Sequence, residues 1–381
     1  MKVLLLGEYS RLHNSLKEGL EQLGVEARIA ATGDGFKQYP ADFDLRPRLS
    51  LHPAMRPVRQ GIFRITGYDP ARAETAWRLR RQCTRWEAYD VVQLINSFPF
   101  ESHLGYEQKI IRRILERNAK AFLLACGDDP VVNRYYLENP GVPYSVLTPM
   151  QENPSLKDRF RYSLKYLEPA FTDWHEELMG KVRGIIPTDL DYAIPYRNHP
   201  KALSMIPNPV NTDKIRYAFP PLKGPVRILH GINSGNYWKK GNGFFEKALE
   251  KIMRRYGADK VQIVQVRDLP YREYIRQVES AHIVMDQVYS WDQGYNALES
   301  MAMGKVVFTG AEKVFYEHYG WDEPVCINAL PDVDDLVEKL SELIENPALL
   351  QRISENARRF IERENHYVRI AERYMEVWEG F

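Results

Sequence analysis

Residues 282–309 constrain the fold of this chain more than any other stretch. The apolar run His282 to Met285 has the length of a buried strand. A polar loop containing Gly294 follows, then helical spacing from about Tyr295 to Met303, then a second apolar run from Lys305 to Thr309. Two short runs joined through a helix make a β–α–β unit with parallel strands. In open α/β sheets of this kind, ligands bind beyond the carboxyl ends of the strands. The loop at that end has the chemistry of an anion site. A glycine lets the backbone approach a ligand closely, and the free N–H groups that open the helix favour phosphate. Glu299 lies about one turn further on, where a carboxylate can accept hydrogen bonds from sugar hydroxyls near the same ligand.

The same alternation of strand and helix runs through the whole chain. Val3 to Leu6 reads as a first strand, and Leu12, Leu16, Leu20 and Leu23 share one face of the helix after it. Val25 to Ala30, Val91 to Ile95, Ala121 to Ala125 and Gly184 to Pro187 are further strands separated by helical stretches. Ile206 to Asn211, broken by Pro207 and Pro209, reads as a crossing between domains. Strands at Val226 to Leu229 and Val261 to Val266, with helices at Gly243 to Arg255 and Tyr271 to Glu279, lead into the 282–309 unit. Amphipathic helices close the chain, the last from about His366 to Trp378 with Ile370, Tyr374 and Val377 on its apolar face. The expected fold class is α/β, with two Rossmann-like doubly wound domains facing an interdomain cleft. Residues 1–205 form the first domain and residues 206–365 the second, followed by a final helix in residues 366–381.

A chain of 381 residues is long enough for two such cores. Its net charge of +1 supplies no global field for nucleic acid. Cys83, Cys126 and Cys326 are far apart in apolar settings, the pattern of reduced thiols in a cytoplasmic protein. The opening MKVLLLGEY reads as a strand rather than a signal peptide, and no run reaches the length of a membrane span. The expected location is the cytoplasm or the inner face of a membrane. The nine histidines show no close ligand spacing and no Cys/His cluster occurs, so no metal or other cofactor is expected. Asp189 and Asp191 mimic a metal-binding acid pair but fall in an expected turn before Pro195, and are set aside.

Gly294, Leu298-Glu299, Met301-Ala302 and Gly304-Lys305-Val306-Val307 together resemble the donor-site loop of retaining glycosyltransferases of the GT-B fold, family 4 type. The resemblance implies a transferase that moves a sugar from a nucleotide-sugar donor (UDP-, GDP- or ADP-linked) to a hydroxyl of a sugar, lipid-linked or small-molecule acceptor. It implies retained configuration, independence of metal, a role in cell-surface polysaccharide or glycolipid synthesis, and a last helix that crosses back onto the first domain. The family's first loop glutamate falls at Trp291, leaving Asp292 as the nearest acid. In the loop after Leu229, Lys240-Gly241 matches the family's Lys-Gly, while Ser234 stands near the expected arginine and Gly231 opens the loop. On this resemblance Lys240, Asp128 and Glu299 are the catalytic candidates. Gly231, Ser234, Gly241, Val266, Asp292, Gly294, Tyr295 and Asn296 join Lys240 and Glu299 around the donor. Glu8, Tyr9, Arg11 and His13, in the loop after the first strand, face the acceptor. Two rival readings stand beside this one: a catalytically weakened sugar-nucleotide-binding subunit, and a GT-B epimerase or phosphorylase.

One charge feature lies outside that pattern. Ten arginines and no lysine fall between Arg46 and Arg85, against two acids, Asp69 and Glu74. Ala76, Leu79, Cys83 and Trp86 keep helical apolar spacing through part of it. The segment reads either as a solvated basic surface or as a landing site for an anionic membrane or a diphosphate-linked lipid. No nucleic-acid motif accompanies it.

Overall fold

In the computed structural model, which describes residues 1–381 apart from the side chain of Phe36, the apolar runs form two all-parallel sheets. The first contains β1 (Lys2–Leu6), β2 (Glu26–Ala31), β3 (Phe43–Asp44), β4 (Val91–Leu94), β5 (Lys120–Ala125) and β6 (Gly184–Pro187), in the order β3-β2-β1-β4-β5-β6. The second contains β7 (Val226–Ile232), β8 (Val261–Arg267), β9 (Ile283–Met285), β10 (Val306–Thr309) and β11 (Ile327–Asn328), in the order β11-β10-β9-β7-β8. Helices cover both faces of such sheets, so their strands are apolar throughout rather than alternating. β4, β9 and β10 are buried end to end. β8 departs from this because it is an edge: Gln262, Gln265 and Arg267 are exposed along it, a polar margin that discourages pairing with another chain.

Within the first domain the two faces of the sheet feed two cores, as a period of two requires. Leu4, Leu6, Val92 and Leu94 pack on one side with Trp86 and Trp174. Val3, Leu5, Val91 and Phe122 pack on the other with Leu12, Leu16 and Leu20. Ile370, Ala371, Tyr374 and Trp378 of the helix Tyr367–Glu379 enter this second core. Val377 packs against the same core half-buried, so the expected apolar face is as observed, with fully buried Trp378 added to it. The last helix therefore lies on the first domain, against the helix Leu12–Gln22. The approach is tight: a Cβ on Gly19 would come 2.3 Å from the carbonyl oxygen of Tyr367.

The chain crosses between the sheets twice, and the two crossings are bonded to each other. Val210 N–H donates to Asn365 O at 2.7 Å, Tyr367 N–H donates to Val210 O at 3.2 Å, and Asn365 Nδ2 donates to Asn208 O at 2.9 Å. Glu18 ties this junction to the first domain, accepting from Asn211 Nδ2 at 2.6 Å and Lys214 Nζ at 2.7 Å. Lys305 ties it to the second. Its buried ammonium donates to the carbonyls of Ala218 and Glu279, and burial lowers its pKa to about 8. One sequence expectation is corrected. Asp189 lies not in a turn but at the cap of a helix, Leu190–Tyr196, which contains Pro195. The helix Arg56–Thr66 was not among the expected elements.

Replacing Gly19 by alanine should lower the urea midpoint of unfolding, by an overpacking penalty of about 1–3 kcal/mol. Gly180→Ala, in a helix with open space around it, should leave the midpoint unchanged or raise it slightly.

Candidate active site

The strand order of the second sheet reverses between β7 and β9, so its crevice opens there. The loop after β7 brings Lys240 and the loop after β9 brings Asp286, with Nζ 2.6 Å from Oδ1. The Asp286 carboxylate is buried and also accepts from Asn296 Nδ2 at 2.8 Å and Thr309 Oγ1 at 3.3 Å. Asn296 is the second residue of the helix Tyr295–Ala302, so a cation and the side chain of a first-turn residue converge on one carboxylate oxygen. No side chain caps that helix, which leaves its first-turn N–H groups to an anion. Gly241 begins the helix Asn242–Tyr256 at φ +66°, and a Cβ there would lie 2.2 Å from Val288, so glycine is required for the two loops to meet. Gly294 is different. Its φ of −74° suits any residue, and a Cβ would make an ordinary 3.6 Å contact with Gln287; the pivot assigned to it is not demanded by the backbone.

Glu299 is buried one turn into the helix, both oxygens 2.9 Å from the Tyr271 hydroxyl that donates to them. Burial raises its pKa, while the Tyr271 hydrogen bond and the charges of Arg11 and Lys37 oppose the rise. Because Arg11 and Lys37 belong to the first domain, Glu299 faces the cleft. Gly231 lies on β7 against the ring of Tyr274, and half-buried Val266 of β8 joins the same cluster. Exposed Ser234 donates to Asp268 from its backbone at 2.8 Å and from its hydroxyl at 2.6 Å. The Arg267 guanidinium lies 3.5 Å from that hydroxyl, so a cation stands beside position 234 although none stands at it.

The first domain supplies the opposite wall from the loops after β1, β4 and β5. Tyr9 OH accepts from Asn96 Nδ2 at 2.9 Å, and Tyr166 OH lies 3.5 Å from the same amide. Tyr162 donates to Glu101, and the Lys165 ammonium sits 3.6 Å from the Tyr162 ring centroid and 4.8 Å from that of Tyr166. Ser10, Arg11 and Glu101 all hold positive φ without being glycine, backbone strain of a kind that gathers at functional sites. Arg11 is engaged by Glu18 at 2.6 Å. Asp128 meets Lys239 at 3.0 Å, an ion pair that bridges the cleft. Its neighbour Asp129 caps the helix Pro130–Glu138 through Val132 N–H at 2.7 Å.

Four expected site residues are turned elsewhere. Glu8 is buried and accepts from the backbone N–H groups of His13 and Asn14 and from Asn14 Nδ2, which orders the start of the helix rather than an acceptor. Burial raises its pKa to about 8. His13 is equally buried, its Nδ1 2.8 Å from Gly7 O and its pKa lowered by burial to about 4, so it stays neutral. Asp292 points away from the crevice, accepting from Leu190 N–H at 3.0 Å across the domain boundary. Asp191 answers by accepting from Trp291 N–H at 2.9 Å, and Trp291 Nε1 donates to Tyr144 O at 3.2 Å. The Tyr295 hydroxyl donates to Pro209 O and lies 2.9 Å from Ser15 Oγ, again binding the domains together. Sequence reasoning missed Asp286, Lys239, Tyr271 and Asn96. Asp286 and Asn96 each follow closely on an apolar run at its carboxyl end, and that position was the available signal.

The buried Glu8 carboxyl has a folded pKa above its unfolded value, so its contribution to stability is present below about pH 4.5 and lost as pH rises through about 8. Thermal unfolding followed from pH 6 to 9 should show a falling midpoint, and Glu8→Gln should reduce that fall.

Residues 229–376 match the protein family described as glycosyl transferase-like. No curated protein matches the chain in sequence. Among solved structures, the sucrose-phosphate synthase (tll1590) of Thermosynechococcus elongatus superposes with a TM-score of 0.59 at 11% identity, covering 100% of this chain and 99% of its own. Anabaena Alr3699/HepE, solved with UDP and glucose, gives 0.55 at 10% identity with both chains covered in full. The lipopolysaccharide outer core galactosyltransferase WaaB gives 0.51 at 11% identity, also over both whole chains. At such identities the likeness is one of fold. This chain has the two-domain GT-B fold, and its residues 229–376 are similar to the glycosyl transferase-like family.

Proposed function

We propose that this GT-B glycosyltransferase moves a sugar from a nucleoside diphosphate to an acceptor hydroxyl, with retained configuration and without a divalent metal. The observation that carries the reading is the Lys240 ammonium held by Asp286, which also accepts from the Asn296 side chain in the first turn of a helix that no side chain caps. Negative charge grows on the diphosphate as the glycosidic bond breaks. A fixed cation and fixed N–H groups stabilise it without reorganising when it forms. Asp286 orients Lys240, and Glu299 accepts hydrogen bonds from the ribose. Glu101, Asp128 and the Tyr9–Asn96 pair line the side from which an acceptor hydroxyl approaches. The UDP and UDP-glucose held by HepE make uridine the first nucleotide to test. The acceptor belongs to a cell-surface polysaccharide or glycolipid, and the protein works at the inner face of the membrane that carries it.

A second reading, a sugar-nucleotide-binding subunit of weakened activity, is favoured by Trp291, whose side chain is committed to Tyr144 where the family carries a glutamate. Lys240→Ala separates the two. In an active transferase it should lower turnover, read as donor hydrolysis or transfer, by about 10²–10³-fold while donor affinity falls far less. In a binding module the wild type turns over no donor and the variant loses affinity alone.

Glu299→Ala should weaken binding of UDP by roughly 1.5–3 kcal/mol in calorimetry, the worth of hydrogen bonds to a charged group. Unchanged affinity in a folded variant would move the ribose elsewhere. Activity should persist in excess chelator, and a loss reversed by added metal would overturn the metal-free mechanism.

A further inference from the structure

The stretch from Leu49 to Trp77 follows β3 at the carboxyl end of the first sheet, the same end that opens on the cleft. It carries a surface that the fold does not use. In the helix Arg56–Thr66 no side chain is buried. Met55, Val58, Ile62 and Ile65 are spaced three or four residues apart, so they share one face, and all four are exposed, Ile65 by 86%. Leu49, Leu51, Phe63, Tyr68 and Trp77 are exposed around them. Nine of the fourteen large apolar side chains exposed among the described residues therefore fall in this one stretch. Single exposed apolar residues need no explanation, but a contiguous patch of them marks an interaction surface.

Charge surrounds the patch. Arg46, Arg48, Arg59 and Arg78 are held by Asp44, Asp69 and Glu74. Arg56, Arg64, Arg72, Arg80, Arg81 and Arg85 are exposed and, among the described residues, have no carboxylate in ion-pair reach. A cavity of about 560 Å³ opens at the base of the helix, where Leu51, Pro53 and Phe63 meet Arg56 and Arg59. The apolar stripe and the unpaired guanidinium groups share this one segment, and the hollow beside them is lined by Leu51, Pro53 and Phe63 together with Arg56 and the Arg59–Asp69 pair. Nucleic acid would use the arginines and leave the stripe in water. An anionic bilayer uses both: phosphates take the guanidinium groups in paired hydrogen bonds, and the boundary with the acyl chains takes the stripe.

We propose that residues 49–77 dock the protein on an anionic bilayer, with the helix Arg56–Thr66 lying in the plane of the headgroups and Val58, Ile62 and Ile65 turned toward the acyl chains. The docking does not rest on the sugar-transfer reading. Its consequence for an acceptor does, since it brings the rim of the cleft to a lipid-borne hydroxyl. The surface also alters the expectation drawn from charge alone. Binding held only by arginines would vanish in salt, whereas an inserted stripe leaves a part that salt does not remove.

The test is flotation of the full chain with vesicles of phosphatidylglycerol in phosphatidylcholine, and of phosphatidylcholine alone, at about 0.1 M and about 1 M salt. The protein should float with the anionic vesicles, less at high salt but still measurably, and weakly or not at all with the neutral ones. Arg56→Gln with Arg64→Gln should reduce low-salt binding on the order of tenfold or more. Ile62→Asp with Ile65→Asp should remove the salt-resistant part. The sites are exposed, so thermal midpoints should match wild type, and Ile65→Trp gives an independent reading through a blue shift of emission on anionic vesicles. No flotation with any vesicle, or isoleucine variants that bind as wild type at high salt, would overturn the proposal. So would self-association without vesicles that Ile62→Asp with Ile65→Asp abolishes, which would assign the surface to a second copy of the chain. Donor hydrolysis without vesicles reads the transfer chemistry separately.

Discussion

Two sheets can present a shared site only if the chain joining them fixes where each stands. Here that constraint is the bonding of the two crossings, with Val210 held between Asn365 and Tyr367. The first crossing carries the chain into the second domain and the second returns it, so the pair acts as a single junction rather than two loose linkers. Glu18 anchors the junction to the first domain through Asn211 and Lys214, and Lys305 anchors it to the second through Ala218. The return helix then buries Tyr374 and Trp378 in the first core, which makes the end of the chain part of the domain where it began. Breaking any one of these contacts would loosen the relation between the two walls of the cleft.

With that relation set, the walls can be complementary. The second domain offers Lys240 and Asn296 around Asp286, the first offers tyrosines, Asn96 and strained loops, and Lys239–Asp128 spans between them. The loop 290–292 serves the boundary more than the ligand. The backbone N–H groups of Trp291 and Leu190 donate to the carboxylates of Asp191 and Asp292; with Asp189 these are three buried acids, and desolvation raises the pKa of each. Carboxylates in that setting are costly when charged and cheap when hydrogen-bonded or protonated. The contact is therefore specific in geometry without being strong.

Much of the frame was legible in residues. Short apolar runs separated by helical spacing can hardly form anything but parallel sheets, and the strands from Val3, Val25, Val91, Ala121, Gly184, Val226, Val261, His282 and Lys305 lie where the pattern puts them. β3 and β11 were illegible because two residues carry no periodicity. The helix Arg56–Thr66 was not read, although Met55, Val58, Ile62 and Ile65 keep helical spacing; what sequence cannot show is that this stripe faces solvent and not a core.

The site divides in the same way. Lys240, Gly241 and Glu299 could be singled out in sequence because the family loops they resemble are local patterns, and local patterns survive folding. Local order alone thus determined the α/β class, the succession of elements and the loops that end at the crevice. Tertiary structure decided the rest. It turned Glu8 and His13 inward, gave Asp292 and Tyr295 to the domain boundary, brought Asp286 under Lys240 and set Lys239 against Asp128. Each of these depends on which of two faces a side chain takes and on what a distant strand places opposite it. Distances across a cleft are set by packing between residues a hundred or more positions apart, and no local pattern encodes them.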